Sequence, residues 1–187
     1  MTEGIRQPAL APPLIRPAMP RAADPTAELE AHYRSVWADR MRGLPFVNPA
    51  LAVAAVGFRR VDGDWVGVMV TPWFLNLFLL SGGGTLWGDI PAGQRRYLEF
   101  PCGALQFIAD DDPEIGPYQY CPLIAPVTSL AGMDAALAAA RDAMATVLAP
   151  PPAPPAAGDA APAGRETPAP EGTPSRRAFF RRLAGKR

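Results

Sequence analysis

The sequence is poor in the side chains that hold metals and carry redox chemistry. It has two cysteines, Cys102 and Cys121, with no CxxC spacing, and one histidine, His32. Zinc, haem and iron–sulfur sites need clusters of such ligands, so no metal and no cofactor is expected. A thiol nucleophile would want a histidine base, and His32 stands alone on an early helix. No catalytic residue is assigned, and the chain is expected not to be an enzyme. Long apolar runs are missing too: residues 73–80 are apolar but far short of the roughly 20 residues of a membrane-spanning helix. Residues 1–23 hold no apolar run of the kind a secretory signal carries, so reduced thiols and a cytoplasmic location are expected.

Net charge is also absent, with 18 basic and 18 acidic residues, but the balance is uneven along the chain. Arg176, Arg177, Arg181, Arg182, Lys186 and Arg187 crowd into residues 175–187 without an acid among them. Everything before that tail therefore carries about −6. An acidic body argues against nucleic-acid binding, which needs clustered Lys and Arg to neutralise phosphates.

The chain contains 24 prolines, and proline and alanine dominate residues 1–23 and 149–174. The first segment reads as a disordered arm and the second as a Pro/Ala linker, since neither can bury a core. Asp24 before Pro25 marks a helix start, and Leu29, Tyr33, Val36, Trp37 and Met41 recur at helical spacing until Gly43. Short β-prone runs follow at 51–60 and 65–71 around an Asp-Gly turn, then at 96–100, 104–109 and 118–124. Ser129 is placed to cap a second helix through Leu148. The fold class is α+β: one domain, residues 24–148, with a mainly antiparallel sheet flanked by an N-terminal and a C-terminal helix.

Three groups of residues invite a binding function. In TPWFLNLFLL, with Trp87 beyond it, the rings of Trp73, Phe74, Phe78 and Trp87 and the amide of Asn76 suit either a core or an apolar peptide cleft. Asp110, Asp111, Asp112 and Glu114 form the densest acidic cluster and read as a solvated turn or an acidic binding patch. The spacing is not that of a calcium loop. The glycines of SGGGT (81–85) lack a phosphate-loop pattern and read as a flexible connection. Finally Ser175, Arg176, Arg177, Phe179 and Phe180 spell SRRAFF, the core of a twin-arginine export address, ahead of no apolar stretch. That tail reads as a solvated basic segment, as a membrane-surface adaptor docking weakly on anionic lipid, or as an imitation of a true export signal.

Three stretches, GLPFVNPALAVAAVGFR (43–59), GDWVGVMVTPWFLNL (63–77) and RRYLEFPCGALQFI (95–108), resemble the [NiFe]-hydrogenase assembly chaperones of the HybE/HupJ type. The resemblance covers about residues 28–148. It implies a cytoplasmic chaperone without enzymatic activity, whose partners are hydrogenase precursor subunits, above all the twin-arginine signal peptide of the small subunit. It further implies that the precursor is held back from export until assembly is complete. Some relatives carry a fused rubredoxin domain, which the lack of CxxC pairs excludes for this stretch of sequence. With such a body, the tethered SRRAFF becomes a competitor for the client's groove, in its own molecule or by self-association. A linker of 26 residues spans about 28 Å as a flexible coil and about 80 Å extended.

Overall fold

A computed structural model describes residues 14–150. Helix α1 (Thr26–Val36) is followed by strands β1 (Ala54–Val61), β2 (Asp64–Val70), β3 (Leu75–Leu80), β4 (Arg95–Phe100), β5 (Gly103–Asp112) and β6 (Gly116–Ile124), then helix α2 (Met133–Leu148). The strands form one sheet in the order β1-β2-β3-β6-β5-β4, antiparallel throughout. It consists of two meanders, β1-β2-β3 and β4-β5-β6, joined at the β3–β6 seam. The α+β class and the two flanking helices agree with the sequence.

Helix α1 starts where Asp24 accepts a hydrogen bond from Thr26 N at 2.8 Å, and it opens into a π-helical turn, Trp37–Met41, before Gly43 turns at φ +79°. The start of α2 differs from the expectation. Ser129 lies in a 3-10 turn, its hydroxyl donating to Pro126 O at 2.9 Å, and the helix begins after Gly132 without a side-chain cap. The sheet also contains a strand that the sequence conceals. In β3 every residue is buried, because α1 lies against one face and α2 against the other. Such a strand shows no alternation, which is the normal signature of burial on both sides.

Residues 14–23, expected in a disordered arm, instead run along the end of the sheet. Arg21 N donates to Ser81 O at 2.8 Å, Arg21 O accepts from the Trp65 indole and from Arg60 at 2.9 Å each, and Arg16 pairs with Asp111 at 3.0 Å. The Arg60 guanidinium lies 4.7 Å from the centre of the Trp65 ring, fixing this strap from beneath. Proline-rich composition removes backbone donors, but the two arginines supply anchors that composition does not register.

The β3–β4 connection, residues 81–94, is held rather than flexible. Asp64, with no solvent exposure, accepts hydrogen bonds from Gly82 N (2.8 Å), Gly84 N (3.0 Å) and Trp87 N (2.8 Å). Arg96 takes the carbonyls of Leu86 (2.7 Å) and Gly88 (3.3 Å) from the other side. Gly84 is required by close approach: a Cβ there would sit 2.1 Å from Asp62 O in the β1–β2 turn. Asp64→Ala leaves three backbone donors without their acceptor. It is expected to lower stability by on the order of 3–5 kcal/mol in urea denaturation, and Asp64→Asn by less.

Candidate functional site

The turn between β2 and β3 sets the first part of the site. Thr71 Oγ1 accepts from Phe74 N at 2.9 Å, and Pro72 O accepts from Asn48 N at 2.7 Å. The buried Asn48 amide in turn donates to Val127 O (3.1 Å) and Leu130 O (2.8 Å). Asn48 therefore ties the GLPFVNP and TPWF stretches to the approach of α2. Trp73 and Phe74 emerge from this turn half-buried on the α1 side.

From there a chain of rings crosses the sheet. Trp37 of the π-helical turn stacks on Trp73 (6.1 Å, 16°), Tyr33 meets Phe74 edge-on (5.3 Å), Phe74 stacks near Phe78 (5.8 Å), and Phe78 lies parallel to Tyr118 (5.0 Å). Phe78 is 1% exposed and Asn76 is 7% exposed, so both form floor rather than surface. Trp87 does not belong to this set. It packs against the α2-side core, with its indole donating to Asp89 at 2.8 Å. The aromatic residues grouped by sequence are thus split between two faces, three on the α1 side and Trp87 on the other.

The two cores differ in width. The α2-side core extends across the sheet to Leu98 and Phe100 of β4, whereas the α1-side core stops at Tyr118 and Tyr120 of β6. Beyond them, the α1 side of β5 and β4 carries side chains that no helix among the described residues covers. In register, Phe78 lies beside Tyr120, Tyr120 beside Ile108, and Ile108 beside Arg95; Gln106 lies beside Tyr97. Tyr120 and Ile108 are half-buried, while Tyr97 is 68% exposed with its hydroxyl accepting from Gln106 at 2.9 Å. These tyrosines escape sequence reasoning because each stands singly in an alternating strand. The usable signal is an aromatic ring, Tyr97, between two charges on the exposed side of alternating β4, and tyrosines two residues apart in β6.

The four acidic residues lie together at the β5–β6 turn, and each already has a partner. Asp110 accepts from the Tyr118 hydroxyl at 2.9 Å, Asp111 pairs with Arg16, and Asp112 accepts from Glu114 N and Ile115 N at 2.8 and 3.1 Å. His32, almost wholly buried, stands between Asp112 Oδ2 (3.1 Å from Nε2) and Glu114 Oε2 (3.0 Å from Nδ1), joining α1 to the turn. A cleft of about 330 Å³ between this turn and the strap is lined by residues 16–21, Ser81 and residues 114–117. Among the described residues no three His, Cys, Asp or Glu side chains are grouped to hold a metal ion, and no helix is long and apolar enough to cross a membrane. The tail residues Ser175, Arg176, Arg177, Phe179 and Phe180 lie outside the described residues.

Burial dominates the electrostatics of the rings. It pushes the Tyr33 and Tyr118 phenols well above their usual range, reinforced at Tyr33 by the charges of Asp112 and Asp110 and at Tyr118 by Tyr33 and Asp110. Tyr120 is raised for the same first reason. Burial likewise raises the Cys102 thiol, which disfavours the thiolate a nucleophile needs. The folded protein keeps Tyr33 and Tyr118 protonated at a pH above 10, where unfolded tyrosines have lost their protons. Stability contributed by these two groups is therefore complete below about pH 10 and falls as pH rises further. Urea midpoints measured from pH 9 to 11 are expected to drop, and Tyr118→Phe to flatten that drop.

Comparison with known proteins places this geometry. A sequence model described as "[NiFe]-hydrogenase assembly, chaperone, HybE" matches residues 24–182. The hydrogenase expression/formation protein HoxT of Azotobacter vinelandii is 36% identical over 159 residues, covering 84% of this chain and 94% of that protein. HupJ of Bradyrhizobium diazoefficiens, also named a hydrogenase expression/formation protein, is 38% identical over 122 residues, 65% of this chain and 70% of that one. The probable rubredoxin HupJ of Rhodobacter capsulatus is 42% identical over 95 residues, and this chain spans only 34% of its length. The solution structure of HybE from Escherichia coli shares the fold, with a TM-score of 0.57 at 24% identity over 80% of this chain and 94% of that one. Spanned from before α1 to past α2 by the family's own sequence pattern, the chain belongs to the HybE family of [NiFe]-hydrogenase assembly chaperones.

Proposed function

We propose that the chain holds a [NiFe]-hydrogenase precursor small subunit through its twin-arginine signal peptide and delays its export until assembly is complete. The observation that carries this reading is the open α1 side of β4–β6, where Tyr97 is exposed and Tyr120 and Ile108 are half-buried, on the same face of the sheet as Trp73 and Phe74. A twin-arginine peptide presents guanidinium groups beside a phenylalanine. Tyrosine rings accept both, by stacking and by cation–π attraction. Glu99, exposed on β4, and Asp110, half-buried on β5, supply negative charge on the same side of the sheet. Their pairs would orient the peptide more than tighten it. Phe78 and Asn76 serve by supporting the rings above them.

Calorimetric titration with a synthetic hydrogenase signal peptide tests this surface. Tyr97→Ala combined with Tyr120→Ala is expected to weaken binding by roughly 10- to 100-fold, as loss of two aromatic anchors does. Trp87→Phe, on the opposite side of the sheet, should leave affinity unaltered. Equal affinity for the wild type and the double variant would remove the open face from the reading.

The tethered tail then acts as an internal competitor. At an effective concentration of about 1 mM, a tail that binds with an intrinsic Kd near 10 μM weakens client binding about 100-fold. Removing residues 175–187 is expected to tighten the signal peptide by about that factor. If the tail instead serves as a membrane-surface adaptor, deletion leaves peptide affinity constant and abolishes co-sedimentation with anionic vesicles.

A further inference from the structure

The two edges of the sheet are treated differently. At β1 the edge is closed: Gly57, at φ +68°, marks a register shift between Val56 and Arg59, and Ala55 N donates to the Glu30 carboxylate of α1 at 3.0 Å. A bulge and a side-chain acceptor are standard obstacles to another strand. Strand β4 has neither. Its register with β5 is unbroken from Arg95↔Ile108 to Phe100↔Gly103, and among the described residues β5 is its single neighbour. No side chain among the described residues hydrogen-bonds to its backbone.

The side chains of this open edge complement themselves. On the α1 side β4 presents Arg95, Tyr97 and Glu99, all exposed, and neither charge takes part in an ion pair among the described residues. Antiparallel pairing of β4 with a second β4, centred on Tyr97, sets each Arg95 opposite the other copy's Glu99 and the two Tyr97 rings side by side. Opposed charges across a strand pair stabilise it, and like charges destabilise it. Centring on Leu98 instead would place Tyr97 against Glu99 and leave Arg95 without a carboxylate. The charges therefore select one register, as a half-buried face selects one in an ordinary sheet.

We infer that β4 is a self-recognition edge through which two copies of the chain join their sheets in an antiparallel register centred on Tyr97. The two-fold axis of that pairing is perpendicular to the sheet, so both open aromatic sides face the same way. They merge into one surface six strands wide, β6-β5-β4 of each copy, about 24 Å across. The inference stands on the edge alone and holds whatever peptide the surface receives.

Sedimentation of the full chain over a concentration series tests it. Wild type is expected to form a dimer. Glu99→Arg, which puts arginine against Arg95 at both ends of the pairing, should raise the dimer dissociation constant on the order of 10-fold or more. Combining Arg95→Glu with Glu99→Arg restores opposite charges in the same register and should restore the dimer. Because both positions are exposed, urea midpoints taken at concentrations below the dimer dissociation constant are expected to match wild type and exclude misfolding. A wild type that stays monomeric, a dimer indifferent to Glu99→Arg, or a charge swap that fails to rescue would each overturn the inference. So would a dimer that disappears on removal of residues 175–187 while ignoring the β4 charges.

Discussion

A carboxylate with no access to water has to be met by donors, and at Asp64 those donors come from one loop. Gly82, Gly84 and Trp87 turn their N–H groups onto it, while Arg96 gathers carbonyls of the same segment. An unpaired buried carboxylate is too costly to persist, so the loop has little freedom to lie elsewhere. Its course decides the rest. It carries the chain from the end of β3 to the far edge of the sheet and tucks Leu86 and Trp87 against the α2-side core. Among the described residues the α1 side receives no such cover beyond β6, and Tyr97 remains exposed there.

That division explains what could be read from the sequence and what could not. Both helices and the β4–β6 strands follow from local patterns that burial on one side leaves intact, and β2, buried throughout like β3, is marked by the Asp-Gly turn before it. Strand β3 is buried on both sides, and without alternation its apolar residues resemble a binding cleft. The aromatic group was divided by the sheet itself: Phe78 and Trp87 are near in sequence, yet the loop held by Asp64 sends Trp87 to the opposite face. The glycines of SGGGT signal neither phosphate nor flexibility, because what they permit is backbone lying on backbone, with a Cβ at Gly84 reaching 2.1 Å from Asp62 O. Such contacts between distant segments have no local signature.

The acidic turn shows a similar transfer from apparent surface chemistry to architecture. Asp112 closes the turn and reaches His32, Asp110 receives the Tyr118 phenol, and Asp111 anchors the strap. The one histidine of the chain is thereby used to fasten α1 to the sheet. Tyr33 and Tyr118, kept neutral by burial, work as hydrophobic rings with polar ends rather than as acids or bases. The α1 side of β4–β6 is left with Tyr97, Tyr120 and Ile108 interleaved with the charges of Arg95, Glu99 and Asp110.

The β3–β6 seam has a consequence in time as well as in space. The other four strand pairs join neighbours along the chain through short connections, whereas Leu77 must find Cys121 across the entire second meander. Loop-closure entropy opposes that pairing most, so each meander can gain its local contacts before the seam does. Until β6 arrives, β3 presents a bare edge of Leu, Phe and Asn residues. On a ribosome, where the amino-terminal meander emerges first, the most apolar strand of the protein waits longest for its partner.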